Sequence, residues 1–129
     1  MTPNAFAAAA KGGGEEHKPL PKAGEKCWIG DDTYFIYSFD KKPKLGTAIL
    51  KIQAFDKAGK QDTTMEIRGD TDMPSMRGAH YSGPQLFKLN KKGDYLLPVN
   101  IVMPGEWEVN LHFFKDKKVI FMGSFRFNV

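Results

Sequence analysis

Glu106-Trp107-Glu108-Val109-Asn110-Leu111-His112-Phe113 is the stretch that decides the fold. Trp107, Val109, Leu111 and Phe113 alternate with Glu106, Glu108, Asn110 and His112. That period of two puts the apolar side chains on one side of an extended chain and the polar ones on the other. Lys115-Asp116-Lys117-Lys118 then turns the chain, and Val119, Phe121, Phe125, Phe127 and Val129 alternate with mostly polar residues. The pair reads as a hairpin with one oily and one wet face.

The same pattern extends upstream. Tyr95, Leu97, Val99 and Ile101 are the inward positions of a strand from Tyr95 to Met103, preceded by Gln85 to Leu89 and a Lys91-Lys92-Gly93 turn. Pro98 falls on the other face and has no amide to donate, so this strand is expected at an edge or with a bulge. Ala48, Leu50, Ile52 and Ala54 alternate in the same way. Lys57-Ala58-Gly59-Lys60 reads as a hairpin-type turn, with Thr63 to Arg68 as the returning strand. Tyr34 to Phe39 is aromatic and β-branched, as strands prefer. No segment carries a sustained i, i+3, i+4 apolar stripe with helix caps. About seven short antiparallel strands with turns between them predict an all-β chain, an immunoglobulin-like β-sandwich of two half-buried sheets.

The chain has 129 residues, 41% hydrophobic, 26% charged and 12% aromatic, a globular composition of single-domain size. Residues 1–26 stand apart: apart from Phe6 and Leu20 they are poor in large apolar side chains, with Ala7 to Ala10 and Gly12-Gly13-Gly14, and read as a flexible leader before a domain at 27–129. Ala5-Phe6-Ala7 has the small-x-small form of a signal-peptidase site, although no charged region and apolar run precede it. A sequence beginning near a removed export signal is preferred over a cytoplasmic protein with an Ala/Gly-rich tail, which makes the expected location extracytoplasmic, periplasmic or secreted. There is no apolar run of about 18 residues, so no transmembrane segment is expected. The net charge of +4 permits anionic partners, but the basic residues are spread along the chain and only three of 19 are Arg. Nucleic acid is therefore not an expected partner. The single cysteine, Cys27, excludes an internal disulfide and a Cys-based zinc site.

Chemistry concentrates in the polar stretch from Gly69 to Pro84. Met73, Met76 and His80 fall there within eight residues, with Pro74 between them to stiffen the loop. Methionine normally fills gaps inside a core. Thioethers beside an imidazole suit Cu(I), a soft ion with modest geometric demands. Met103, beside Pro104-Gly105, is a further sulfur donor if the loop folds over that end. The competing use of such methionines is as apolar caps over the open end of the sandwich.

Met73-Pro74-Ser75-Met76, then His80, then Gly93-Asp94-Tyr95 opening one strand and Met103-Pro104-Gly105-Glu106-Trp107 opening the next, resembles the FixH/YtkA-like family of small extracytoplasmic Ig-like sandwich domains. The resemblance spans roughly the last 100 residues. It implies copper handling or haem–copper oxidase assembly, with a membrane oxidase or a metal-efflux component as partner, and places the suspected metal positions on Met73, Met76 and His80. Arg77-Gly78-Ala79 sets His80 further from Met76 than the family's tighter form, and the family's membrane anchor is not expected in this sequence.

Other residues read more plainly. Cys27 beside Trp28 is a half-buried structural thiol, His112 a solvated strand histidine, His17 an inert leader residue, and Asp70 and Asp72 loop-solvating carboxylates. No nucleophile elbow or phosphate-binding glycine loop is present, so no enzyme is expected. The leading expectation is a non-enzymatic binding module with Cu(I) on Met73, Met76 and His80, joined by Met103. The alternative is an Ig-like interaction or structural domain without metal, docking through outward Ile49, Phe55 and Phe114. A cupredoxin-like carrier is a third option, weakened because Cys27 precedes the first confident strand.

Overall fold

The computed structural model describes residues 17–129. The part of the expected leader before His17, Ala5-Phe6-Ala7 included, lies outside the described residues. The strands are β1 (Lys18–Pro19), β2 (Cys27–Ile29), β3 (Thr33–Phe39), β4 (Gly46–Asp56), β5 (Glu66–Asp72), β6 (Gln85–Leu86), β7 (Lys88–Leu89), β8 (Tyr95–Ile101), β9 (Glu106–Lys115) and β10 (Lys118–Asn128). They form two five-stranded sheets, in the orders β1-β10-β9-β5-β6 and β2-β3-β4-β8-β7. The architecture is a β-sandwich, as the alternation predicts. Three of the ten strands are two-residue pieces, too short to leave a periodic trace in the sequence. β1 departs from the expected antiparallel pattern by pairing parallel to β10. Among the described residues no helix is long and apolar enough to cross a membrane.

The inward positions are the expected ones: Ala48, Leu50, Ile52 and Ala54 on β4, Tyr95, Leu97, Val99 and Ile101 on β8, and Trp107, Val109, Leu111 and Phe113 on β9 are all buried. Aromatic pairs bridge the two layers. Phe35 meets Phe113 at 4.4 Å between ring centroids, Tyr37 stacks on Phe125 at 4.1 Å, and Phe39 meets Phe127 edge-on at 4.9 Å. Such pairs add to the area they bury and fix how one sheet sits over the other. Pro98 pairs with Ile49 of β4, while β7 reaches only as far as Leu96. At Pro98 the strand is therefore an edge, which is where a missing amide is tolerated.

Three expectations need correction. Asp56 to Lys60 does turn, with the Asp56 carboxylate accepting from the amides of Ala58 and Lys60, but Glu66 to Asp72 does not return beside β4. After the Phe55–Gln61 bridge the chain crosses to the other sheet, and β5 pairs with β9. A local turn signal cannot tell a hairpin from a change of sheet. Secondly, Ile120 is the extra residue of a bulge between Val119 and Phe121, so Val119 opposes Phe114 on the outer face. Thirdly, residues 17–26 are fastened to the domain. Leu20 donates its amide to the Ser124 carbonyl, the Tyr37 hydroxyl donates to the Pro21 carbonyl, and Gly24 donates to the Tyr37 carbonyl. Leu20 lies so close over Gly123 that a Cβ there would come within 2.6 Å of its Cδ2. Few apolar residues suffice when they land on a glycine.

The β9–β10 turn holds Asp116 and Lys117 at φ 51° and 66°. Both central residues are left-handed, as in a type I′ turn, where Asn-Gly is preferred. Asp116→Asn with Lys117→Gly is expected to stabilise the fold by about 0.5–1 kcal/mol, because removing the Cβ at Lys117 relieves left-handed strain. The urea midpoint should rise with an unchanged m-value.

Candidate functional site

β5 keeps its period of two beyond the point where its sequence turns polar. Ile67, Gly69, Thr71 and then Met73 fall on the inner side, while Arg68, Asp70 and Asp72 fall outside. Met73 is thus the last inward position of a strand that continues through Gly69–Asp72, and only 1% of its surface is exposed. A Cβ on Gly105 would lie 2.9 Å from the Met73 methyl carbon, and Gly105 sits at φ +135°, where L side chains are strained. The positive φ is what requires glycine in the Met103–Trp107 turn.

The loop after Met73 is anchored at several points. Pro74–Met76 forms one 3-10 turn. The Asp72 carboxylate accepts from the amides of Met73 and Gly78. Arg77 reaches back to the Glu108 carboxylate, which also receives Arg126 at 3.1 Å. Ser82 accepts the Thr71 amide through its hydroxyl and donates its own amide to the Thr71 carbonyl. The loop therefore lies on the end and the outer face of the sheet as a fixed feature. Beside it is a cleft of about 290 Å³, lined by His80, Tyr81, Gln85, Asn100 and Trp107 among others.

The four expected donors divide as follows. His80 is half-buried, its ring 6.1 Å from the ring of Trp107. The Trp107 indole N–H donates to the Met103 carbonyl at 3.0 Å. Met103 is partly buried against the core, and Met73 rests on Gly105. Met73, His80 and Met103 are thus each tied to the 103–107 turn, Met73 as an apolar plug in the core. Met76 stands apart on the 3-10 turn, 41% exposed. Among the described residues no three His, Cys, Asp or Glu side chains group as a metal site, so any metal held here would depend on thioethers.

Polar residues that the sequence pattern assigns to solvent are buried on the outer face of β5 and β9. Asp70, Asp72, Glu108 and Asn110 are all below 9% exposed, and Asn110 donates to Asp70 at 3.0 Å. Burial pushes the Asp70 carboxyl up, against the hydrogen bond from Asn110. Glu108 lies below the usual carboxylate range: burial opposes this, but hydrogen bonds and charge from Arg77, then Arg126, prevail. His17 and His112, expected to be inert and solvated, meet with their Nε2 atoms 3.1 Å apart. A one-sided alternation marks these positions as outward; it carries no sign that a loop and a terminal strand will cover them.

Cys27 is buried on β2. Burial, with the nearby Glu25 carboxylate, pushes its thiol up to about 11. It is protonated at neutral pH, whereas a nucleophile or metal ligand needs the thiolate. The expected apolar patch is scattered: Ile49 and Phe55 lie on β4, Phe55 stacked on Tyr34, while Phe114 is on β9 in the opposite sheet under Arg68.

No family model matches the chain, and no curated protein does. A solved structure is similar: 'as isolated' FetP of uropathogenic E. coli strain F11, recombinantly expressed in the periplasm of E. coli BL21(DE3). The TM-score is 0.55 with 14% identical residues, over 83% of this chain and 93% of that one. At that identity the likeness shows the fold alone, a β-sandwich.

Proposed function

We propose that the chain is a non-enzymatic β-sandwich binding module of the FixH/YtkA-like kind, working outside the cytoplasm and taking Cu(I) at its loop-bearing end. The observation that carries this reading is the fastened loop from Met73 to Gly83, which holds the half-buried imidazole of His80 and the buried thioether of Met73 against the 103–107 turn that carries Met103, with the exposed thioether of Met76 on the 3-10 turn of the same loop. Soft sulfur donors with an imidazole suit Cu(I) better than zinc or a hard cation. Binding sites are commonly carried on loops that a rigid scaffold positions. The expression of the structurally similar FetP in a periplasm supports the extracytoplasmic part of the reading. A membrane oxidase in assembly or a metal-efflux component is the partner class that fits such a module.

The four donors differ in readiness. Met76 and His80 are reachable from solvent, whereas Met73 must leave Gly105 before its sulfur faces an ion. Titration of Cu(I) against a chromogenic chelator should give one ion per chain. In Met76→Ala with His80→Ala, affinity is expected to fall at least tenfold with the thermal midpoint unchanged. Equal affinity in the two proteins would refute the assignment.

A further inference from the structure

We propose that the His17–His112 pair is an acid-released latch for the amino-terminal strand. β1 is a short strap: it pairs with β10 at only two positions, Lys18 with Gly123 and Pro19 with Ser124. Its holds beyond that ladder include Leu20 on Gly123, the Leu20 amide on Ser124, and the imidazole of His17, which reaches across β10 to His112 on β9. The rings meet edge to face with centroids 4.7 Å apart. At 3.1 Å between Nε2 atoms one nitrogen donates and the other accepts. The contact therefore exists while at least one ring is neutral, and two imidazoliums would put donor against donor.

The charged groups around the pair do not cancel this. Arg68, paired with His112 across β5, is engaged by Glu66, and Glu108 is held between Arg77 and Arg126. Lys18, the next residue on the strap, adds positive charge. Among the described residues Asp70 is the one group beside the pair that favours a charged His112, and it is itself buried and bonded to Asn110. Burial, then the neighbouring His17, pull His112 below the ordinary histidine value in spite of Asp70. The sign follows. A histidine lowered in the folded state contributes its full stability above its unfolded value, about 6.5, and loses it as pH falls below that value. Because β1 pairs with β10 at two positions only, whereas β9 and β10 are paired along their length, β1 is the part that opens.

Amide hydrogen exchange on the full chain tests this, with rates corrected for the intrinsic effect of pH. Between pH 7.5 and 5.5 the protection of the Leu20 amide should fall severalfold, tenfold being the ceiling for one histidine of ordinary value about 6.5, with the ladder amides of Val109 and Leu111 unchanged. In His112→Gln, which cannot titrate, the step should vanish, whether the strap is held at both pH values or at neither. A Leu20 amide equally protected at both pH values in the parent chain, or a step that persists in His112→Gln, would overturn the latch.

Discussion

Phe113→Ala is expected to remove about 3–5 kcal/mol of stability, the usual range for a large aromatic deleted from a closed core. The ring is fully buried at the centre of the sandwich, 4.4 Å from Phe35 of the facing sheet and 5.9 Å from Phe121 of its own. Truncating it leaves Phe35 without its partner and opens a void between two sheets that can collapse only by sliding. Domains of this size are commonly stable by 5–15 kcal/mol, so the variant would lose a large share of its margin. Phe114→Ala is the matched control. One residue further along, Phe114 points outward with the Arg68 guanidinium 5.5 Å from its centroid, and its loss should cost about 1 kcal/mol or less. Urea denaturation of both variants reads the difference. Similar losses would mean that β9 does not present its faces as the period of two requires.

That contrast also shows what could be read from the sequence. Alternation in β9, β8 and β4 identifies the buried positions, because one-sided burial writes itself into every second residue. It has no grip on long-range pairing. Thr63 to Arg68 looks like the return of a hairpin, yet its partner is β9, some 45 positions downstream. The bulge at Ile120 shifts the register of a pattern that is locally clean. Residues 17–26 are too poor in apolar side chains to read as part of the body; they attach through the β1–β10 ladder, the His17–His112 contact, hydrogen bonds to backbone carbonyls and a leucine seated on a glycine.

The candidate site is legible in a different way. Met73, Met76, His80 and Met103 are visible as unusual residue types, and the 103–107 turn does meet three of them. Met73 reads as a loop residue because three of the four residues before it, Gly69, Asp70 and Asp72, are poor strand formers. Pairing with β9 outweighs that local preference and carries the inner face one step further, to Met73. His17 and His112 lie 95 positions apart, and nothing in either neighbourhood marks them as a pair.

Glu108→Ala should be the most damaging change to the loop, with a loss of about 2 kcal/mol. The carboxylate is almost wholly buried and receives both Arg77 and Arg126, each about half exposed. Breaking a buried pair costs most when the orphaned partner stays buried; here both guanidinium groups can return to water, which keeps the figure at the lower end. Glu106→Ala, which removes an exposed carboxylate 3.5 Å from Arg126, should cost little by comparison. The acid dependence has a definite sign. A carboxyl lowered in the folded state stabilises fully above its unfolded value, near 4.5, and that contribution disappears as pH falls through the folded value. The gap between the parent chain and Glu108→Gln should therefore be widest near neutrality and close only in acid, below the ordinary glutamate value, as the parent's own carboxylate takes up its proton. Losing Glu108 also frees the Arg77 end of the loop while Asp72 still caps Met73 and Gly78. Exchange at the Ala79 amide, which donates to the Met76 carbonyl, should accelerate well before exchange in β9. If Glu108→Gln follows the parent chain at every pH, the two arginines do not fasten this loop.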